Sequence, residues 1–197
     1  MYTLLKPLTV REKLLAKNLK IFSFEQFMQL FAMPRYKIKY FLEKECKGGL
    51  LFRLKKNLYS LRTDTPAEVE IANRIYRPSY ISFEYALAYY NILPEAPYQL
   101  TSATTKPTRE FLIKEKAYKY YSIKENFYRG YYLEKEKGVS FLIAEPEKAL
   151  TDYLYFVSLG KKTLNDRLNL SGLDNKKINY WSNLYARKSL TNIIKNL

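Results

Sequence analysis

SFEQFMQLFAMPRYKIKYFLEKECKGGLLFRLKKNLYSLR (23–62) reads as two short helices followed by a tight hairpin. Ser23 stands where its hydroxyl can cap a helix through FEQFMQLFA. Phe24, Phe27, Met28 and Phe31 recur at i, i+3, i+4 and i+7, an apolar stripe that belongs in a core. Pro34 is tolerated in the first turn of a second helix, PRYKIKYFLEKE, which Gly48 and Gly49 stop. LLFRL (50–54) and LYSLR (58–62) then read as strands around the turn Lys55-Lys56-Asn57. Helix, helix, hairpin at this spacing is the outline of a winged helix-turn-helix.

The second of these helices carries the chemistry. With Ile38 facing inward, Phe41 and Leu42 fall on the same side, and Tyr36, Lys39 and Tyr40 project nearly opposite. A recognition helix presents its N-terminal residues to base edges while flanking cations hold phosphates. Tyr36, Lys39 and Tyr40 are therefore the candidate base readers. Arg35, Lys37, Lys44, Arg53, Lys55 and Lys56, with Asn57 in the hairpin turn, complete the candidate DNA-binding set. A second helix of amphipathic surface type with solvated lysines is the plain alternative.

Charge supports the first reading. The 197 residues hold 34 Lys+Arg against 19 Asp+Glu, a net charge of +15. Residues 1–62 contain 14 basic and 4 acidic side chains, so two-thirds of the excess lies in the first third of the chain. Such a surface attracts a polyanion by counterion release without choosing sequence. Other classes are excluded. With no His, a catalytic triad or His-metal cluster has no ligands, and the single Cys46 rules out an internal disulfide or a cysteine zinc site. No stretch approaches 18 apolar residues, and MYTLLKPLTVREK lacks a signal-peptide core, so a cytoplasmic protein with no membrane partner is expected. No cofactor is expected either.

Around the hairpin, a first helix is expected from Thr9 to Asn18, with Thr9 and Glu12 as a capping box and Val10, Leu14 and Leu15 inward. The polar stretch 63–66 marks a boundary between a winged-helix domain at 1–62 and a second domain at 67–197. That domain opens on a helix capped by Thr65 and Glu68 and running to Tyr76, and Ser82 caps another, FEYALAYYN. Alternating segments at 98–105, 108–114 and 117–124, and a hairpin pairing 128–134 with 139–144, suggest an antiparallel sheet with one wet face. Pro146 starts a helix that Gly160 ends, and 161–197 reads as two or three polar helices anchored by Leu173, Ile178, Trp181, Leu184, Leu190 and Ile194. The fold class expected is α+β: a winged helix, then a mixed domain of antiparallel sheet and flanking helices.

Glu145, Glu147, Lys148 and Asp152 bring to mind a metal-dependent nuclease. They share one predicted helix, however, where Glu145 and Glu147 diverge around the axis, and Lys148 is expected on a solvated face. No catalytic or metal residue is assigned, and no enzyme is expected.

Three strings further on resemble a known family. They are IANRIYRPSYISFEYALAYYNILPE (71–95), TSATTKPTREF (101–111) and IAEPEKALTDYLY (143–155). In that order they are similar to the AbiEi antitoxins of AbiE-type, type IV toxin–antitoxin systems, associated with abortive phage infection. The resemblance, with the N-terminal winged helix, covers most of the chain. It implies an antitoxin that represses its own bicistronic operon through operator DNA. It also implies neutralisation of a nucleotidyltransferase-like toxin by the second domain, without a stable complex. The alternative is a stand-alone winged-helix regulator whose second domain senses a ligand or mediates assembly.

Overall fold

A computed structural model describes residues 5–197. It is a mixed α+β structure that divides into two compact units, the first ending at Ile75 and the second spanning Tyr76–Leu197.

In the first unit the order is α1 (Pro7–Ala16), β1 (Ile21–Ser23), α2 (Phe24–Phe31), α3 (Arg35–Gly48), β2 (Leu51–Lys55), β3 (Leu58–Leu61) and α4 (Glu68–Ile75). Pro7 takes the first helical position of α1, and Val10 N–H already bonds Lys6 O at 3.0 Å, so the helix begins ahead of Thr9 and has no side-chain cap. Val10 and Leu14 are inward, as their spacing predicts. The capping at Ser23 is reciprocal: its Oγ accepts from Gln26 N–H at 3.1 Å and its N–H donates to Gln26 Oε1 at 2.8 Å. Ala32 turns left-handed (φ 46°) to end α2, and α3 follows Pro34. Gly48 stays within α3, and Gly49, at φ 92°, is the residue that ends it.

Three strands, not two, form the first sheet, in the order β1-β3-β2 and antiparallel throughout. Ile21-Phe22-Ser23 is too short for alternation to reveal, and it pairs on the open edge of β3. Val10, Leu14, Phe22, Phe27, Ile38, Leu42, Leu51 and Leu61 fill the core between these elements. Rings pack through it, with Phe27 stacked on Phe41 at 5.8 Å between centres and tilted against Phe22 at 5.4 Å.

The division at Ile75 leaves α4 in the first unit, whereas its sequence reads as the start of the second domain. The Arg74 guanidinium explains the attachment, donating to Ile21 O at 3.1 Å and Gln26 Oε1 at 3.2 Å. Thr65 Oγ1 donates to Arg62 O, and Glu70 accepts the Ala67 N–H at 2.9 Å.

The second unit holds β4 (Ser79–Ile81), α5 (Phe83–Tyr89), β5 (Leu100–Thr104), β6 (Arg109–Ile113), β7 (Lys116–Ser122), β8 (Tyr131–Glu136), β9 (Val139–Ala144), α6 (Pro146–Ser158), α7 (Asn175–Tyr185) and α8 (Lys188–Lys195). Its six strands run β6-β7-β5-β4-β9-β8. The expected purely antiparallel sheet is corrected here: β5 pairs β7 in parallel, and β4 pairs β9 in parallel. The β6–β7 hairpin folds back so that β7 inserts beside β5, which local alternation cannot reveal. All five residues of β5 are buried, so its strand has no wet face. In the C-terminal stretch α7 and α8 bury Ile178, Trp181 and Leu190.

Candidate nucleic-acid interface

The inward face of α3 is set by Ile38, Phe41, Leu42 and Glu45, all buried, which fixes what the rest of the helix shows to solvent. Tyr36 is 69% exposed and Tyr40 64%, large rings left in water on the side away from the core. Lys39 and Lys44 are exposed beside them. Lys37 is half-buried, with its ammonium 5.9 Å from the centre of the Tyr36 ring. Arg35 lies at the start of the helix with its guanidinium 4.8 Å over the Phe24 ring, which braces it there. The helical phase read from the sequence is observed for Ile38, Phe41, Leu42, Tyr36 and Tyr40, whereas Lys39, about 100° from Ile38, lies on a flank of the outer face and not opposite the core.

The hairpin carries less free charge than its sequence suggests. Arg53 is exposed on β2, and Lys56 and Asn57 are exposed in the β2–β3 turn, where Asn57 takes a positive φ of 62°. Lys55 differs. It is half-buried, and its ammonium donates to the backbone carbonyl of Ile75 at the end of α4. The register shift between Arg53 and Lys55 accompanies this inward turn. Arg62, absent from the sequence-based set, adds an exposed guanidinium 5.8 Å from the centre of the Phe52 ring.

Arg11 holds α1 onto this arrangement. Its Nε donates to one oxygen of Asp64 and its NH2 to the other, both at 2.7 Å, a two-pronged pair. These bonds, with one from Thr63, hold the Asp64 carboxyl below the usual carboxylate range.

In the second unit the residues weighed as a nuclease cluster are placed differently from expectation. Lys148 is wholly buried, not solvated. Its ammonium bonds Asp152 one turn further along α6, and also Tyr80 at 3.1 Å and Tyr185 at 3.0 Å. Asp152 accepts in addition from Ser82 Oγ at 2.7 Å and from the Tyr80 and Tyr185 hydroxyls. Such partners are what a buried ion pair needs to offset desolvation. Burial pushes the Lys148 ammonium down, with Asp152 opposing, and raises the Tyr80 and Tyr185 hydroxyls well above their ordinary values, reinforced by the Asp152 charge. Glu147 instead accepts the Asp174 N–H at 3.1 Å, and Glu145 lies 3.6 Å from Lys177, so both carboxylates face the α7 segment. Ser82 spends its hydroxyl on Asp152 and does not cap α5; Thr101 Oγ1 accepts the Tyr85 N–H at 3.1 Å in its place.

A cleft of about 570 Å³, unforeseen in the sequence, opens beside the loop after α6. Lys162 on its wall pairs with Glu84 at 2.5 Å and donates to Tyr121 at 3.0 Å, and Tyr153 ties the loop by bonding Thr163 O and Asn165 N–H. Burial lowers the Lys162 ammonium, with Glu84 opposing. Among the described residues no helix is long and apolar enough to cross a membrane. No protein-family model and no curated protein matches the chain.

Proposed function

We propose that the first unit is a winged helix-turn-helix and that the protein binds duplex operator DNA through α3 and the β2–β3 turn. The observation that carries this reading is the outer face of α3, where two exposed tyrosines are flanked by Lys37, Lys39 and Lys44 over a fully packed inner face. The connection of α2 to α3 through Ala32-Met33-Pro34 and the hairpin directly after α3 support it. With Lys55 drawn inward, phosphate contact falls to Arg35, Lys37, Lys44, Arg53 and Lys56, with Asn57 in the turn.

We further infer that the protein is a cytoplasmic AbiEi-like antitoxin that represses its own operon and neutralises a nucleotidyltransferase-like toxin through the second unit. The support is the family resemblance of the three strings, together with a link between two of them. Tyr80 and Ser82 from the first string and Lys148 and Asp152 from the third join in one buried network, so these strings mark a shared scaffold. The test is separation of roles in the full-length protein. The triple substitution Lys39→Ala, Arg53→Ala, Lys56→Ala should derepress an operon reporter while still rescuing cells from a co-expressed toxin of the downstream gene. Loss of rescue together with repression would tie neutralisation to DNA binding and sink the two-role assignment.

A further inference from the structure

The outer stripe of α3 narrows what kind of DNA the helix can choose, an inference that rests on the DNA-binding reading above. At about 100° per residue, Tyr36, Tyr40, Glu43 and Lys47 all lie within about 40° of the direction opposite Ile38. All four are exposed. Lys39 and Lys44 sit on the flanks of this stripe, and Arg35 is braced over Phe24 at the helix start. The groups aimed outward at the N-terminal half are therefore two tyrosine rings and, one turn on, a carboxylate.

Each base offers a distinct partner in the major groove. Thymine shows a C5-methyl group, cytosine an N4 amino donor, guanine two acceptors, and adenine an acceptor and donor pair best met by Asn or Gln. The sequence of α3, RYKIKYFLEKECKG, contains no Asn, Gln, Ser or Thr, so it has no side chain for paired recognition of adenine. Tyrosine ring edges suit a methyl group, and the carboxylate of Glu43 suits a cytosine amino group while repelling phosphate. Residues one turn apart are separated by roughly 6 Å along the helix, against about 3.4 Å per base step of one strand. Tyr36 and Tyr40 thus reach bases one or two steps apart.

We propose that α3 reads a pyrimidine run on one strand, with Tyr36 and Tyr40 packed on thymine methyl groups and Glu43 accepting from a cytosine amino group. Lysines on both flanks hold the phosphates on either side of that run.

The experiment starts by selecting duplexes from a random-sequence pool with the full-length protein. Each thymidine of the selected site is then replaced by deoxyuridine, which removes the methyl group and nothing else. The expected result is a loss of about fourfold in affinity at two positions, the size expected for one buried methyl group. Tyr36→Ala should abolish the loss at one position and Tyr40→Ala at the other. Glu43→Gln should relax the preference for cytosine at a third. Both tyrosines and Glu43 are exposed, so these variants keep the fold, which circular dichroism verifies. Affinity unchanged by deoxyuridine at every position, or a selected site with adenines on both strands beneath the helix, would overturn the pyrimidine reading while leaving DNA binding intact. Failure to retain any duplex from the pool would overturn DNA binding itself, and this proposal with it.

Discussion

Lys148 and Asp152, one turn apart on α6, form an ion pair with no solvent exposure on either side chain. Tyr80 and Ser82, around the end of β4, and Tyr185 at the end of α7 supply the hydroxyls that complete it. A strand, a buried helix and a C-terminal helix are thereby locked to one another. Removing one partner leaves the other charge uncompensated in the interior. Lys148→Met is expected to cost about 3–5 kcal/mol in urea unfolding, and the double change Lys148→Met, Asp152→Leu less than the sum of the two singles. Additive costs would mean that the two groups do not act as a pair.

Gly130 meets the same region from the strand side. At φ 74° its missing Cβ would lie 2.6 Å from the Trp181 ring and 3.0 Å from Lys148 Cγ. Gly130→Ala combines strain at positive φ with a collision against a packed ring, and should lower stability by roughly 2 kcal/mol or more. A neutral result in thermal unfolding would show that Trp181 has room to move.

The Arg11–Asp64 pair predicts an acid limb for the first unit. The folded Asp64 carboxyl is held below its ordinary value, chiefly by the bonds from Arg11. Its stabilising effect is therefore complete above the ordinary value of 3.8 and is lost as pH falls through the lower folded value. The stability difference between wild type and Asp64→Asn should be constant well above the ordinary value of 3.8 and shrink as pH falls below it. A difference that does not change with pH would assign the pair no such role.

The hairpin offers a sharper contrast. Arg53→Ala and Lys56→Ala should each lower the slope of log affinity against log salt by about 1, because each would remove one phosphate contact of the proposed interface. Lys55→Ala should leave that slope in place, since its ammonium is already bonded to the Ile75 carbonyl. A lowered slope for Lys55→Ala alone would show that this bond opens on DNA.

Local rules read the first unit well because its determinants are local. Ser23 and Gln26 lie three residues apart, Pro34 fixes its own φ, and the phase of α3 follows from Ile38, Phe41 and Leu42. What the sequence hid depends on partners far along the chain. The strand at Ile21 needs Ser60 to exist, and the ammonium of Lys55 turns inward only because Ile75 ends α4 nearby. Lys148 reads as a solvated cation until Tyr80 and Tyr185, 68 and 37 residues away, are brought to it. The parallel pairing of β5 with β7 is of the same kind, since alternation reports which face is buried but not which neighbour lies alongside.

The central claim is that α3 binds duplex DNA, and fluorescence anisotropy of a labelled duplex carrying the sequence upstream of the gene tests it most directly. Six to ten phosphate contacts predict a fall of roughly 10³ to 10⁵ in affinity between 50 and 200 mM salt. Tyr36→Ala with Lys39→Ala should reduce the preference for that duplex over a random one. A wild-type protein that binds neither duplex at 50 mM salt, or a double variant with its preference unchanged, would contradict the account.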